Sequence, residues 1–326
     1  MKRTIAIVAG GDSSEFPVSL RSAQGLYSFM DKEKYTVYIV EMKGLCWEAV
    51  LPDGNKTAVD RNDFSFLLNG EKITFDFAYI IIHGTPGENG LLQGYFDLLH
   101  IPYSTCDVLA SALTFNKFAL NHYLQGFGIR ISDSLLVRKG SDISDQDVIE
   151  KIGLPCFIKP NEGGSSFGVT KVKTAEQIRP AIEKAMHESD EVMVEAFMAG
   201  TEITCGCYKT RTKEVVFPIT EVVSKNEFFD YAAKYDGESQ EITPARLDDD
   251  TTRRVKALTS AIYDILGCEG IIRVDYIITE GGKINLLEVN TTPGMTATSF
   301  IPQQVRAAGL DMKDVLTDII ENKFIS

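Results

Sequence analysis

The chain has 326 residues, 44% hydrophobic, 24% charged and 10% aromatic, a balance that excludes a disordered or fibrous protein and leaves room for a large core. Its length exceeds one compact domain and predicts two or three. With 33 basic against 46 acidic residues and a formal charge of -13, it repels nucleic acid and anionic lipid, and no basic patch is large enough to override that.

Behind Met1-Lys2-Arg3 the apolar run Ile5 to Ala9 ends in Gly10-Gly11. It is too short for a signal-peptide core and predicts a first strand. No stretch is apolar for long enough to span a membrane. The six cysteines, at 46, 106, 156, 205, 207 and 268, include no C-x-x-C pair and read as reduced core residues of a cytoplasmic protein. Strand and helix signals then alternate: Thr4 to Ala9, a helix from Pro17 to Met30, Thr36 to Met42, and Phe77 to Ile82. That order predicts an α/β unit with a parallel sheet. In such sheets ligands sit beyond the carboxyl ends of the strands, here the Gly10 to Glu15 loop and the His83 to Gly90 loop. The first lacks the spaced glycines of a dinucleotide fingerprint. Glu15 reads either as a carboxylate for a substrate amine or as an acid favoured by a helix N-terminus. His83 is either a site residue or a structural imidazole behind a buried strand.

A boundary falls near Ser104. From Val108 to about Gln125 the pattern is helical and carries Lys117 on an Ala- and Leu-rich segment. The strand Cys156 to Pro160 bears Lys159, and the glycine-rich stretch Asn161 to Gly168 leads into a strand from Val169 to Val172. Glycines let backbone N–H groups approach phosphate, and Lys159 adds a point charge. A plain loop between strands is the other reading, and the Walker A order is absent. Thr174 and Gln177 are spaced as a capping box for a helix that Pro180 delays or kinks. Glu195 ends a strand that begins at Glu191 and precedes Phe197 and Met198, an acceptor and apolar walls suited to an adenine edge. Glu202, on the next strand, meets ribose hydroxyls or solvent. Glu227 to Tyr235 is aromatic and polar around Lys234 and predicts an ordered flap.

A helix behind Asp248-Asp249-Asp250 sets Val255, Leu258, Ile262 and Ile265 on one face and stops at Gly267. Two runs follow, Ile271 to Ile278 and Ile284 to Asn290, separated by the turn Thr279-Glu280-Gly281-Gly282. Side chains alternate along a strand, so Arg273 and Asp275 share a face, as do Glu288 and Asn290. An antiparallel hairpin would merge them into one surface of two carboxylates, an amide and a guanidinium. Oxygen ligands suit Mg²⁺ with substrate phosphates, and arginine neutralises phosphoryl charge. The alternative is a solvated face of an exposed hairpin. Pro293 and Gly294 allow the next loop to bend back toward this face.

Together these stretches resemble the ATP-grasp superfamily and, within it, the D-alanine:D-alanine ligases, over essentially the whole chain. Carrying residues are Gly10-Gly11-x-Ser13-x-Glu15, His83-Gly84 with Gly87-Glu88-x-Gly90, Lys117, Lys159-Pro160 with Gly164-Ser165-Ser166-x-Gly168, Asp230-Tyr231-x-x-Lys234-Tyr235, Arg273-x-Asp275, and Glu288-x-Asn290 with Pro293-Gly294-Met295-Thr296. The resemblance implies an α/β (α+β) ATP-grasp fold. A Rossmann-like parallel-sheet domain would occupy 1-104, a central subdomain 105-193, and a C-terminal subdomain with the metal site 194-326. It also implies an ADP-forming ligase that joins two D-alanine molecules through a D-alanyl phosphate for peptidoglycan precursors, in a cytoplasmic homodimer. Lys117, Lys159 and Lys234 would hold ATP phosphates, Glu195 and Met198 the adenine, and Glu202 the ribose. Asp275, Glu288 and Asn290 would hold two Mg²⁺ ions, for which Mn²⁺ can substitute. Glu15 would receive the first ammonium, Ser165 and Tyr235 would link it to the flap, and His83 would orient the first substrate. Arg273 and the Gly294 amide would stabilise the oxyanion, while Ser299 and Phe300 hold the second carboxylate. The rival readings are a depsipeptide ligase that makes the D-lactate ester, against which the Tyr235 phenol speaks, and a non-catalytic nucleotide-binding module.

Overall fold

Three β-sheets carry the chain. The computed structural model describes residues 2–164, 167–224 and 239–325. In the first sheet Arg3–Gly10 runs parallel between Tyr35–Lys43 and Phe77–Ile80. Ile5 to Ala9 are wholly buried, as a strand covered on both faces requires. Beyond Tyr35–Lys43 the sheet continues through Cys46–Val50, Lys56–Asp60, Ser65–Leu68 and Glu71–Thr74, all antiparallel. The expected parallel order therefore holds at the edge that carries the site loops, and the remainder is antiparallel because short turns permit nothing else. Gly10 has φ +103°, and a Cβ there would lie 2.3 Å from the Met42 carbonyl oxygen, so glycine alone lets the chain leave the strand toward Glu15.

The second sheet is antiparallel in the order Thr170–Val172, Cys156–Pro160, Glu191–Ala196, Ser134–Arg138. The Thr174/Gln177 capping box forms, but it opens a 3-10 turn, Ala175–Gln177. The α-helix Ile178–Ala185 follows and places Pro180 in its first turn, where a missing N–H costs little. The helix expected from Val108 to Gln125 is two, Val108–Phe115 and Lys117–Gln125. Asn116 breaks it, and its side chain accepts from the Ala119 N–H at 3.0 Å. A good N-cap competes with helix continuation. Lys117 thereby becomes the first residue of a new helix.

The third sheet runs Ser239–Ile242, Thr220–Ser224, Gly200–Lys209, Ile271–Thr279, Lys283–Asn290, with Glu214–Val216 also on Gly200–Lys209. Helix Asp249–Ile265 covers it through Val255 and Ile262. The C-terminal helices Phe300–Ala307 and Met312–Asn322 return to the first sheet, packing Val305, Leu316 and Ile320 against Ile5, Ile7 and Phe77. Met312, Val315, Leu316, Ile319 and Ile320 are buried, and each contributes about 1.5–3 kcal/mol. The ion pair Arg3–Glu321 at 2.9 Å, with its side chains 38% and 31% exposed, adds about 0–1 kcal/mol. Apolar burial therefore closes the seam between the first and third sheets. Five cysteines are buried, Cys46 is exposed, and all six are free. Among the described residues no helix is long and apolar enough to cross a membrane.

Candidate active site

Strands Ile271–Thr279 and Lys283–Asn290 pair antiparallel, with Arg273 opposite Asn290 and Asp275 opposite Glu288. The expected charged face forms. Asp275 accepts from Arg273 Nε at 2.9 Å and Nη2 at 2.8 Å. Glu288 Oε1 lies 3.8 Å from Nη2, and Asn290 Nδ2 donates to Asp275 Oδ2 at 3.1 Å and to Glu288 Oε1 at 3.4 Å. Ile272, Val274 and Tyr276 fill the opposite face, all wholly buried. Strict alternation would put Ile284 and Leu286 on the same face as Glu288 and Asn290. They are buried in the core instead, because the register shifts after Asp275 and Tyr276 pairs with Leu286. Leu287 is left as the extra residue of a bulge, and that bulge sends the apolar pair inward and the polar pair to the site. Burial works against the Arg273 charge, but Asp275 and Glu288 outweigh it and hold its pKa above the ordinary arginine value.

Beside this face lies a slot of about 240 Å³ with walls that include Phe157, Val169, Phe197 and Met198. Glu195 Oε2 accepts from Lys159 Nζ at 2.6 Å. Glu195 Oε1 is buried with no hydrogen-bond partner among the described residues, a costly condition that a ligand donor would relieve. Glu202 lines the same slot. Lys117 Nζ donates to the Gly163 carbonyl at 2.6 Å, and burial lowers its pKa against the pull of Glu288. Lys117, Gly164, Arg273, Glu288 and Phe300 line both this slot and a second cleft of about 380 Å³, so the two spaces meet at the hairpin face.

The second cleft gathers Glu15, His83 and Glu88 from the loops after the parallel strands. Ser22 Oγ lies 3.2 Å from His83 Nε2. Burial lowers the His83 pKa, with Glu15 opposing, which favours a neutral imidazole. Glu88 accepts from the Gly84 N–H at 2.7 Å, and burial, then Glu15, push its carboxyl up to about 8. Gly164 comes so close that a Cβ there would lie 2.7 Å from Glu15 Oε2. Gly294, Ser299 and Phe300 complete the lining. Ser299 precedes helix Phe300–Ala307, whose N-terminus favours a carboxylate, and its Oγ accepts from the Thr296 N–H at 3.1 Å. The Arg273 guanidinium carbon is 5.4 Å from the Phe300 ring centroid. Ser165, Lys234 and Tyr235, with the rest of the expected flap, lie outside the described residues.

A family model described as D-ala D-ala ligase N-terminus matches residues 4–106, and one described as D-ala D-ala ligase C-terminus matches residues 123–321. The chain belongs to the D-alanine–D-alanine ligase family. It is 80% identical over 324 residues to the D-alanine–D-alanine ligase of Phocaeicola vulgatus, covering 99% of this chain and 100% of that one. A D-Ala:D-Ser ligase from Enterococcus faecalis superposes with a TM-score of 0.87 at 30% identity over 99% of each chain. A D-alanine–D-alanine ligase from Bacillus anthracis complexed with ATP does so with a TM-score of 0.78 at 28% identity, over 99% of this chain and 97% of that one. The architecture is the ATP-grasp fold of these ligases.

For a ligase of this family the hairpin face invites a test against magnesium. Among the described residues no group of three or more His, Cys, Asp or Glu gathers; the set is two carboxylates and an amide. Its donors are oxygens on one patch, and its negative charge already draws Arg273 and the Asn290 amide. That chemistry suits Mg²⁺. Two carboxylates of the ligase's cleft carried no role in the sequence reading. Glu88 was visible as an acid in a glycine-rich loop after a buried strand, whereas Glu241, on the outer strand of the third sheet, has no local signal.

Proposed function

We propose that this ligase joins two D-alanine molecules with conversion of ATP to ADP and phosphate, through a D-alanyl phosphate. The observation that carries the reading is the hairpin face, where Arg273, Asp275, Glu288 and Asn290 stand with Lys117 at the junction of an apolar slot and a polar cleft. The adenine lies in the slot, with its amino group on the orphan oxygen of Glu195 and its ring beside Met198, and Glu202 takes the ribose hydroxyls. Lys117 and Lys159 hold the phosphates, joined on the resemblance alone by Lys234. Magnesium, or manganese in its place, held by Asp275, Glu288 and Asn290 would neutralise phosphoryl charge and align the transferred group.

The first D-alanine sets its ammonium on Glu15 beside His83, with Ser165 and Tyr235 assigned to the same contact by the resemblance. Its carboxylate takes the γ-phosphoryl group. Positioning and charge neutralisation do most of this work, since phosphoryl transfer needs little covalent help from protein. The second D-alanine rests its carboxylate on Ser299, the helix start at Phe300 and Arg273. Its amine attacks the acylphosphate, and the Gly294 amide and Arg273 stabilise the oxyanion. Asp275 engages Nε and Nη2 of Arg273, and Nη1 carries two further donors. We further propose a cytoplasmic homodimer serving peptidoglycan precursor synthesis, associated through the N-terminal unit, where Leu91 and Leu98 are 63% and 82% exposed.

The test is phosphate release from Mg-ATP with D-alanine, L-alanine, D-alanine plus D-lactate, or no amino acid, with products identified by mass. Release with D-alanine and the mass of the dipeptide are expected. An ester product from D-lactate in preference would reassign the acceptor, and ATP binding without turnover would overturn the reading.

A further inference from the structure

Two carboxylates of the cleft, Glu88 and Glu241, take no part in this chemistry, and burial keeps the proton on Glu88 up to about 8, which leaves Glu241 as the spare anion. Glu241 lies on Ser239–Ile242, the outer strand of the third sheet. Register places it beside Val222, Val222 beside Glu202, and Glu202 beside Ile277. Glu202, Val222 and Ile277 all line the nucleotide slot. Cross-strand partners share a sheet face, so Glu241 stands on the site face, and it lines the cleft with Arg273, Gly294, Thr298 and Ser299.

Its carboxylate is fixed from the acceptor side. Gln303 Nε2, on helix Phe300–Ala307, donates to Glu241 Oε2 and also to the Thr298 carbonyl at 2.7 Å. One amide thus ties Glu241 to the segment that presents Ser299. Burial raises the Glu241 pKa, and the Gln303 hydrogen bond and then the Arg273 charge oppose that rise, as expected for an acid held in a partly desolvated space beside a donor and a guanidinium.

An acceptor amino acid enters as a zwitterion, with opposite charges on the two substituents of one carbon. Its carboxylate has Arg273 and the helix start, Glu15 serves the donor, and the acceptor ammonium needs an anion within the same cleft. We propose that Glu241, oriented by Gln303, is the anionic contact of the acceptor ammonium and makes the site select amino acids over hydroxy acids. The proposal rests on the ligase reading and deepens it. A hydroxy acid brings no cation to this position, so Glu241 gives it nothing.

The experiment measures initial rates over a range of D-alanine concentrations, which separates donor and acceptor constants, for the full chain and for Glu241→Gln, Glu241→Asp and Gln303→Met. Two further assays accompany each: ester formation with D-lactate, and D-alanyl hydroxamate formation with hydroxylamine, a small neutral nucleophile that needs no anionic contact. Glu241→Gln should raise the acceptor KM by about tenfold or more, leave the donor KM and hydroxamate rate unchanged, and narrow the preference for D-alanine over D-lactate. Glu241→Asp should recover part of the loss, and Gln303→Met should shift the acceptor KM in the same direction by less. If the unmodified chain makes dipeptide while Glu241→Gln keeps its acceptor KM within about twofold, or loses hydroxamate and dipeptide alike, the role of Glu241 is overturned. If the unmodified chain makes no dipeptide, the ligase reading itself falls.

Discussion

On the hairpin face every acid has a cationic or donor partner: Arg273 grips Asp275 with two bonds, approaches Glu288, and Asn290 spans the two carboxylates. In the corner formed by the loops after the parallel strands, Glu15 and Glu88 face one another across a buried space with a neutral-leaning His83, and Glu88 holds its proton up to about 8. The first arrangement is built on paired strands, with two carboxylates held by one guanidinium and one amide, so it keeps negative charge suited to a cation. The second is built on loops, where burial and the neighbouring Glu15 charge keep the proton on Glu88. The difference matches the two ligands proposed for them. A phosphate would meet the first through Arg273, Lys117 and a divalent cation, whereas an amino-acid ammonium brings its own positive charge to the acids of the second.

The sharpest way to break this contrast is Arg273→Ala. It should lower dipeptide turnover by about 10²–10³-fold, as loss of an oxyanion donor does. It should also cost about 3–5 kcal/mol of stability by leaving the Asp275 charge with the Asn290 amide and without a cation. Phosphate release and denaturant unfolding read the two effects separately, and near-normal turnover would remove Arg273 from the mechanism. Next comes the corner. Gly164→Ala places a methyl carbon 2.7 Å from Glu15 Oε2 and should raise the donor KM by about tenfold with a smaller change in the KM for ATP, because a displaced Glu15 loses its aim. Equal changes in both constants would show that the loop acts on the phosphates instead.

Glu88 supplies a pH-dependent comparison. Its carboxyl is raised from 4.5 to about 8, so the folded state holds the proton more tightly than the unfolded chain. That contribution to stability is fully present below about pH 4.5 and is lost as pH rises through about 8. Glu88→Gln removes the titration, and the Tm of the unmodified chain should fall by a few °C relative to this variant between about pH 5 and 8. Parallel Tm curves would show that Glu88 is ionised throughout. The smallest effect is expected from Ser22→Ala, which removes the hydroxyl 3.2 Å from His83 Nε2. It should cost about 1 kcal/mol of stability and change the donor KM by less than Gly164→Ala does; a larger kinetic loss would make His83 orientation central to donor binding.

Local sequence determined much of this protein. The apolar run Ile5 to Ala9, the glycines that end it, the paired spacing of Arg273 with Asp275 and of Glu288 with Asn290, and the capping signals at Asp248 and Thr174 are properties of neighbouring residues, so periodicity and turn chemistry reveal them. The ordered motifs are specific enough to point to the ligase family. Tertiary structure decided what neighbours cannot. Asn116 capped a new helix in place of extending the old one, because its amide had a free N–H to meet. The bulge at Leu287 reversed the facing of Ile284 and Leu286, because the core behind the sheet outbid strict alternation. Glu88 owes its raised pKa to burial and to Glu15, far away in the chain, and Glu241 reaches the cleft through Gln303, on a helix that follows the hairpin. Charge, burial and register act through space, and no local pattern records which distant residue will supply them.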